Sequence, residues 1–305
     1  MLSINNAKYY IAIFVAVFIW SSAIIVTKFA LTDLGPVTLS AVRILIAAVA
    51  LLPFALKRGF HFKDYFTQNA FLYGIFGYGG NLVLLSIGLT VCTANISSVI
   101  HGLFPVFMIL FGHGMMGENI TGNKVLGIIF SVAGVVIASA GDLSQNSGTT
   151  LLGILLNAGA VLTWAFYSVL AKKNAAGMDS FVLSEICLGT SFICVLPLAV
   201  LEILFTGFSA PSPGAAFSLI YLGVMSGSAA TLLWNFGLKK INSAVAGVYF
   251  NLMPVIGLFL ALFLHERIAL LQVFGCVLIL AGVVICTRTD IKKEMKEGLT
   301  NETGK

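Results

Sequence analysis

Charge is what this chain has least of. Asp, Glu, Lys and Arg make up 10% of its 305 residues, against 59% hydrophobic residues, and mean hydropathy is +1.02. A water-soluble domain carries roughly a quarter of its residues as charges, so most of the outer surface here must face lipid. The five cysteines (Cys92, Cys187, Cys194, Cys276, Cys286) fall mostly inside apolar runs, without CxxC or Cys/His spacing. Neither a disulfide frame nor a metal site is implied, and no cofactor is expected. There is no Walker A sequence, which excludes ATP hydrolysis by this chain. No aspartate or glutamate is predicted at the middle of a span, where proton- or sodium-coupled pumps usually keep one. The histidines at 61, 101, 113 and 265 are scattered in depth, which argues against a membrane-embedded enzyme. No repeated filter or ring of charge points to a channel.

What is present is long apolar runs. A helix crossing ~30 Å of hydrocarbon needs about 20 apolar residues. Ten stretches qualify: 9–31, 36–56, 69–90, 93–115, 122–141, 151–172, 180–205, 215–238, 242–264 and 269–288. They are apolar throughout instead of alternating, so helices are predicted and barrel strands are not. The first run is too long for a signal-peptide core and lacks a clear small-residue cleavage site, so it reads as a retained span.

The formal charge of +5 is no nucleic-acid signal, because the bases sit in short loops and report orientation. Of 17 Lys and Arg, Lys28 and Arg267 fall on one face and Arg43 inside a span; the rest collect on the other face. That bias places both termini in the cytoplasm, in a multi-pass protein of the plasma (inner) membrane.

The chain also repeats itself. Trp20 to Lys28 matches Trp164 to Lys172; Pro53 matches Pro197 within one residue; Gly88 matches Gly237; Pro105 matches Pro254. Gly117-Glu118 matches His265-Glu266, and Gly134-Val135-Val136-Ile137 matches Gly282-Val283-Val284-Ile285. Six matches in order argue for duplication. Five spans is an odd number, so the second copy must insert upside down, a common plan of secondary transporters. The expected fold is an all-α polytopic membrane protein: ten transmembrane helices as two inverted five-helix repeats, at 1–145 and 146–290, with a polar cytoplasmic tail at 291–305.

Trp20 with Lys28, Pro36 with Arg43, Pro105 followed by Gly117-Glu118, and Gly127 with Gly134, with their second-half partners, resemble the EamA-type proteins of the drug/metabolite transporter superfamily. One departure is that Arg43 meets Glu185 or Ile186 at its second-half position. The resemblance implies a ten-helix inner-membrane carrier, often an exporter of amino acids or other small metabolites. It also implies a central cavity among helices one, three, four, six, eight and nine.

The candidate cavity residues follow from polar groups placed where lipid would penalise them. On helix four, Asn95, Ser98, His101 and Pro105 fall within about a third of the circumference at ~100° per residue. Their second-half counterparts, Ala244, Gly247, Phe250 and Pro254, are apolar. Pro105 and Pro254 are expected to kink their helices beside a cavity. His101 reads either as a neutral imidazole bonded to a nearby carbonyl or as a contact for cargo or proton. Asn81 and Asn235 are candidates because a primary amide is costly to bury unpaired, and Thr231 because it falls on one face of helix eight with Ser228 and Asn235. Trp20 and Trp164 lie mid-span, where an indole N–H needs a partner, so both are expected to face inward, with Tyr167 beside Trp164. Arg43 is placed near the outer mouth, where the alternative to snorkelling is contact with an anionic cargo group. Depth argues against an Arg43–Glu185 pair, and each is expected to snorkel toward its nearer surface or bind a helix end. Glu118 and Glu266 read as loop caps or gate contacts.

The predicted activity is alternating-access transport, most simply export of a small amphipathic, amino-acid-like metabolite; a passive channel or facilitator and a membrane-embedded enzyme are the rivals. The partners expected are a small-molecule substrate and the lipid bilayer, with a homodimer left open and no nucleic acid.

Overall fold

The computed structural model describes residues 4–117, 120–144, 148–174, 177–241, 246–247, 249–250, 252–261, 268–282 and 284–285. Among these the secondary structure is helical. Eight helices are long and apolar enough to cross a membrane: α1 (Ile4–Ala30), α2 (Pro36–Leu56), α3 (Gln68–Thr90), α4 (Ala94–Met116), α5 (Gly122–Ser144), α6 (Leu151–Asn174), α7 (Ser180–Thr206) and α8 (Pro213–Leu238). The last two predicted spans are described over α9 (Leu252–Ala261) and the shorter apolar α10 (Leu270–Gly282). Glu118, Glu266, Arg267 and the polar tail lie outside the described residues.

The helix limits follow local chemistry. Pro36 opens α2 where its missing N–H costs nothing. The Glu202 carboxylate then accepts from Val37 N at 3.2 Å and Thr38 N at 2.6 Å, capping that helix across the bundle. Thr93, Asp179 and Ser212 cap α4, α7 and α8 with their side chains. Gly117 (φ +70°) closes α4 in the left-handed region that favours glycine.

Three spans are not continuous α-helix. A 3₁₀ turn, His101–Leu103, divides α4, and Pro105 sits in the first turn of the half that follows, needing no donor. A π segment, Ile75–Gly79, interrupts α3, with Gly77 outside helical geometry (φ −85°, ψ −123°). A longer π segment, Tyr221–Ala229, interrupts α8.

Helix contacts come in exchanged pairs. α1 packs on α8 as α6 packs on α3; α1 packs on α9 as α6 packs on α4; α2 packs on α8 as α7 packs on α3. The pairs α2–α7 and α4–α9 map onto themselves when the halves are swapped. α5 and α10 cross closely through glycine. A Cβ on Gly134 would stand 2.5 Å from Gly275 O, one on Gly275 2.5 Å from Gly134 O, and one on Gly282 2.6 Å from Gly127 O. Residue number rises along α5 as it falls along α10, so the two are antiparallel. The register that aligns Gly134 with Gly282 also aligns Gly127 with Gly275, so these contacts too exchange when the halves are swapped.

The outward faces are apolar. Phe205, Leu204, Phe217 and Leu270 are among the large exposed hydrophobics, as expected of surface in contact with lipid tails.

Candidate functional site: a cavity walled by aromatic rings

The middle of the bundle holds a narrow cavity. It is lined from α1, α2, α3, α4, α6, α8 and the segment entering α9. Its walls are largely aromatic. Trp20 meets Trp164 edge-on (centroids 5.3 Å, 85°), and Tyr78 meets Trp164 edge-on at 5.5 Å. Phe104 of α4 stacks on Phe250 at 3.9 Å. Such ring pairs are rigid and gain beyond their buried area, which gives the space a fixed shape.

Four polar groups are set into this wall. The Ser226 carbonyl, inside the π segment of α8, accepts from Trp20 Nε1 at 3.0 Å and Tyr78 Oη at 2.5 Å. The Ser226 hydroxyl is buried with no hydrogen-bond partner among the described residues. Asn81 donates through Nδ2 to Ala160 O at 2.8 Å. His101 Nδ1 lies 2.7 Å from Ser97 O. A carbonyl only accepts, so Nδ1 carries the hydrogen and Nε2 is the acceptor of the neutral ring.

Arg43 is the fourth, and here the structure corrects the sequence reading. It was expected to snorkel toward its nearer surface or bind a helix end; instead it is buried, 2% exposed, and lines this cavity. Nη1 donates to Thr27 Oγ1 at 2.9 Å, the Tyr78 hydroxyl is its neighbour, and Nε has no partner among the described residues. Glu185 does not snorkel either. It is fully buried and accepts from Tyr65 Oη at 2.5 Å, while its other oxygen has no partner among the described residues. Tyr65 belongs to a 3₁₀ turn, Phe62–Phe66, just outside α3. Burial, then the Glu185 hydrogen bond, pushes the Tyr65 phenol above its ordinary range, so the proton of that bond stays on tyrosine.

Of the residues singled out in sequence, Trp20, Asn81, His101 and Trp164 line the cavity; Asn95, Ser98, Tyr167, Thr231 and Asn235 do not. Asn95 is buried away from it. Ser98 Oγ bonds back to Ala94 O at 2.9 Å in its own helix. Thr231 is buried, its hydroxyl unpartnered among the described residues. Tyr167 and Asn235 lie nearer the lysine-rich ends of α6 and α8, where they form a floor. Asn235 Nδ2 donates to Tyr167 Oη at 3.0 Å and Ser184 Oγ at 2.9 Å. Trp234 Nε1 donates to Ser168 Oγ at 3.2 Å, and Tyr9 packs on Phe236 at 4.8 Å. Lys172 Nζ reaches Ile241 O at 3.0 Å. Pro254 lies in α9 and is not among the lining residues, while Pro105 packs on Gly247, whose Cβ would meet it at 3.2 Å.

Tyr78, Phe104, Ser226 and Phe250 were not chosen from sequence, although Phe250 was noted as an apolar counterpart of His101. A wheel drawn at a constant ~100° per residue fails across a π segment, whose turns are wider. The available signal was the small-residue run on each interrupted helix, Gly77-Tyr78-Gly79-Gly80 and Ser226-Gly227-Ser228.

Comparison with known proteins agrees with this architecture. The profile of the EamA-like transporter family matches residues 7–140 and again 151–288. An uncharacterised transporter of Archaeoglobus fulgidus is 28% identical over 286 residues, covering 92% of this chain and 99% of that protein. A protein of Escherichia coli K12 named as a probable amino-acid metabolite efflux pump is 24% identical over 285 residues, 88% of this chain and 91% of its own. A solved crystal structure shares the fold, with TM-score 0.69 at 21% identity, over 94% of this chain and 99% of that one.

Proposed function

Because the chain belongs to the EamA-like transporter family, a family of multi-pass membrane transporters and not of enzymes, we propose that it exports a small amphipathic, amino-acid-like metabolite by alternating access. The observation that carries this is the aromatic cavity: it lies between the two halves, takes walls from both, and has a packed floor toward the lysine-rich end. Binding at the seam of two repeats, with one half rocking against the other, is how repeat-built carriers expose a site to each side in turn. The exchanged helix contacts and the antiparallel α5–α10 crossing support ten helices arranged as inverted repeats at 1–145 and 146–290. The relative named as an amino-acid metabolite efflux pump favours that class of cargo.

In this reading both termini face the cytoplasm of the inner membrane, and the floor is the closed cytoplasmic gate. His61, exposed in the loop before α3, reports the orientation. His61→Cys should react with a membrane-impermeant maleimide in inverted vesicles and not in intact cells; labelling of intact cells alone would reverse the topology. Transport itself is tested by loading cells that express the chain with amino acids, purines or cationic dyes. Faster efflux of aromatic or branched amino acids or their derivatives is expected. Efflux unchanged for every compound would remove the proposal.

A further inference from the structure

We infer that the cavity selects its cargo by a carboxylate held on Arg43, and that the preferred class is an organic carboxylate with an apolar or ring-bearing body; this rests on the cavity being the transport site. Arg43 is a buried cation without a counter-charge among the described residues. Its described neighbours are the hydroxyls of Thr27 and Tyr78, and Nε is unpartnered. Among the described residues no acid lines the cavity. Two acids outside it are engaged by other groups: Glu202 caps α2 through Val37 and Thr38, and Asp33 accepts from Ser212 N and Thr32 Oγ1. Glu185 is bound to Tyr65.

An arginine in the hydrocarbon region is costly, and a buried charge left unpaired is strongly destabilising. A chain that keeps one facing a cavity is poised for an anion that arrives and leaves. Guanidinium geometry favours the two oxygens of a carboxylate. The Ser226 hydroxyl, also on the cavity wall, is unpartnered among the described residues and can donate to the same ligand. The same cavity is lined by Trp20, Trp164, Phe104 and Phe250, which suit a flat apolar body. With no carboxylate on the wall, a net cation gains no charge partner and meets the repulsion of Arg43.

All three tryptophans of the chain, Trp20, Trp164 and Trp234, lie in one ring cluster at the cavity, so intrinsic fluorescence reports occupancy. The full-length protein in lipid nanodiscs is titrated with 3-phenylpropionate, its uncharged amide, and phenethylamine. The acid should bind at least about tenfold tighter than the amide, and the amine most weakly. Arg43→Gln should lower the acid to the affinity of the amide and leave the amide unchanged, while Arg43→Lys should keep part of the preference. If Arg43→Gln does not fold, the ratio of acid to amide in the unmodified protein still decides. Equal affinities would overturn the carboxylate assignment and leave the cavity as the site. No fluorescence response to any of the three would overturn the cavity reading and this inference with it.

Discussion

Gly275→Val should be among the most damaging single substitutions in the protein, lowering stability by about 3 kcal/mol or more. At this position the backbones of α5 and α10 touch. A Cβ on Gly275 would lie 2.5 Å from the carbonyl oxygen of Gly134, 2.6 Å from the Ala138 side chain and 2.9 Å from Ala138 N. Two of those three atoms are backbone and cannot rotate aside. Small residues in membrane helices allow such approach, and without a hydrophobic effect between helices in lipid, close packing is a main source of association. Gly134→Val should be equally severe, because its Cβ meets Gly275 O at 2.5 Å from the other side. Gly114→Ala is the control: nothing lies within 4 Å of its Cβ, and alanine should be neutral or slightly stabilising there. Thermal unfolding of purified protein in detergent separates the cases. A Gly275→Val protein that melts with the unmodified one would mean the two helices are not in contact as described.

That crossing also shows what a sequence can and cannot carry. Gly127, Gly134 and Gly282 could be aligned as repeats, and hydropathy placed α2 at Pro36–Leu56 without error, because lipid imposes one requirement on every spanning residue. Which glycine meets which is a property of two helices together, and periodicity along one helix does not contain it. The same distinction sorts the cavity residues. Trp20 was legible because a mid-span indole must find an acceptor, and it finds Ser226 O. Arg43 and Glu185 were misplaced because snorkelling was judged from depth alone. What decides is whether protein or lipid surrounds the side chain: α2 packs against α7, α8 and α3, and Arg43 is enclosed among them. The face of α8 was misjudged for a third reason. Thr231 and Asn235 follow a π segment of nine residues, and the wider turns rotate everything after them, so Ser226 reaches the cavity and Asn235 the floor.

Asn235→Leu should reduce transport by about tenfold or more while the protein still inserts and purifies normally. The Asn235 carboxamide ties α8 to α6 through Tyr167 and to α7 through Ser184, and all of these partners are buried. Hydrogen bonds between membrane helices are worth on average about 0.6 kcal/mol and at most about 1.7, too little for their loss to unfold a bundle of this size. They are large enough to matter for an equilibrium between two conformations, where about 1.4 kcal/mol changes the ratio tenfold. If the floor is a gate, these bonds exist only when it is closed, so leucine removes stability from one state of the cycle and not from the other. Tyr167→Phe should act in the same direction and less strongly, since Ser184 keeps its partner. Ser98→Ala is the comparison that makes the result specific. Its hydroxyl bonds only within α4 in this structure, so transport should be unchanged although the residue lies on the polar stripe read from sequence. Normal flux in Asn235→Leu, or a loss in Ser98→Ala as large as in Asn235→Leu, would mean that the floor holds the helices together without gating the cavity above it.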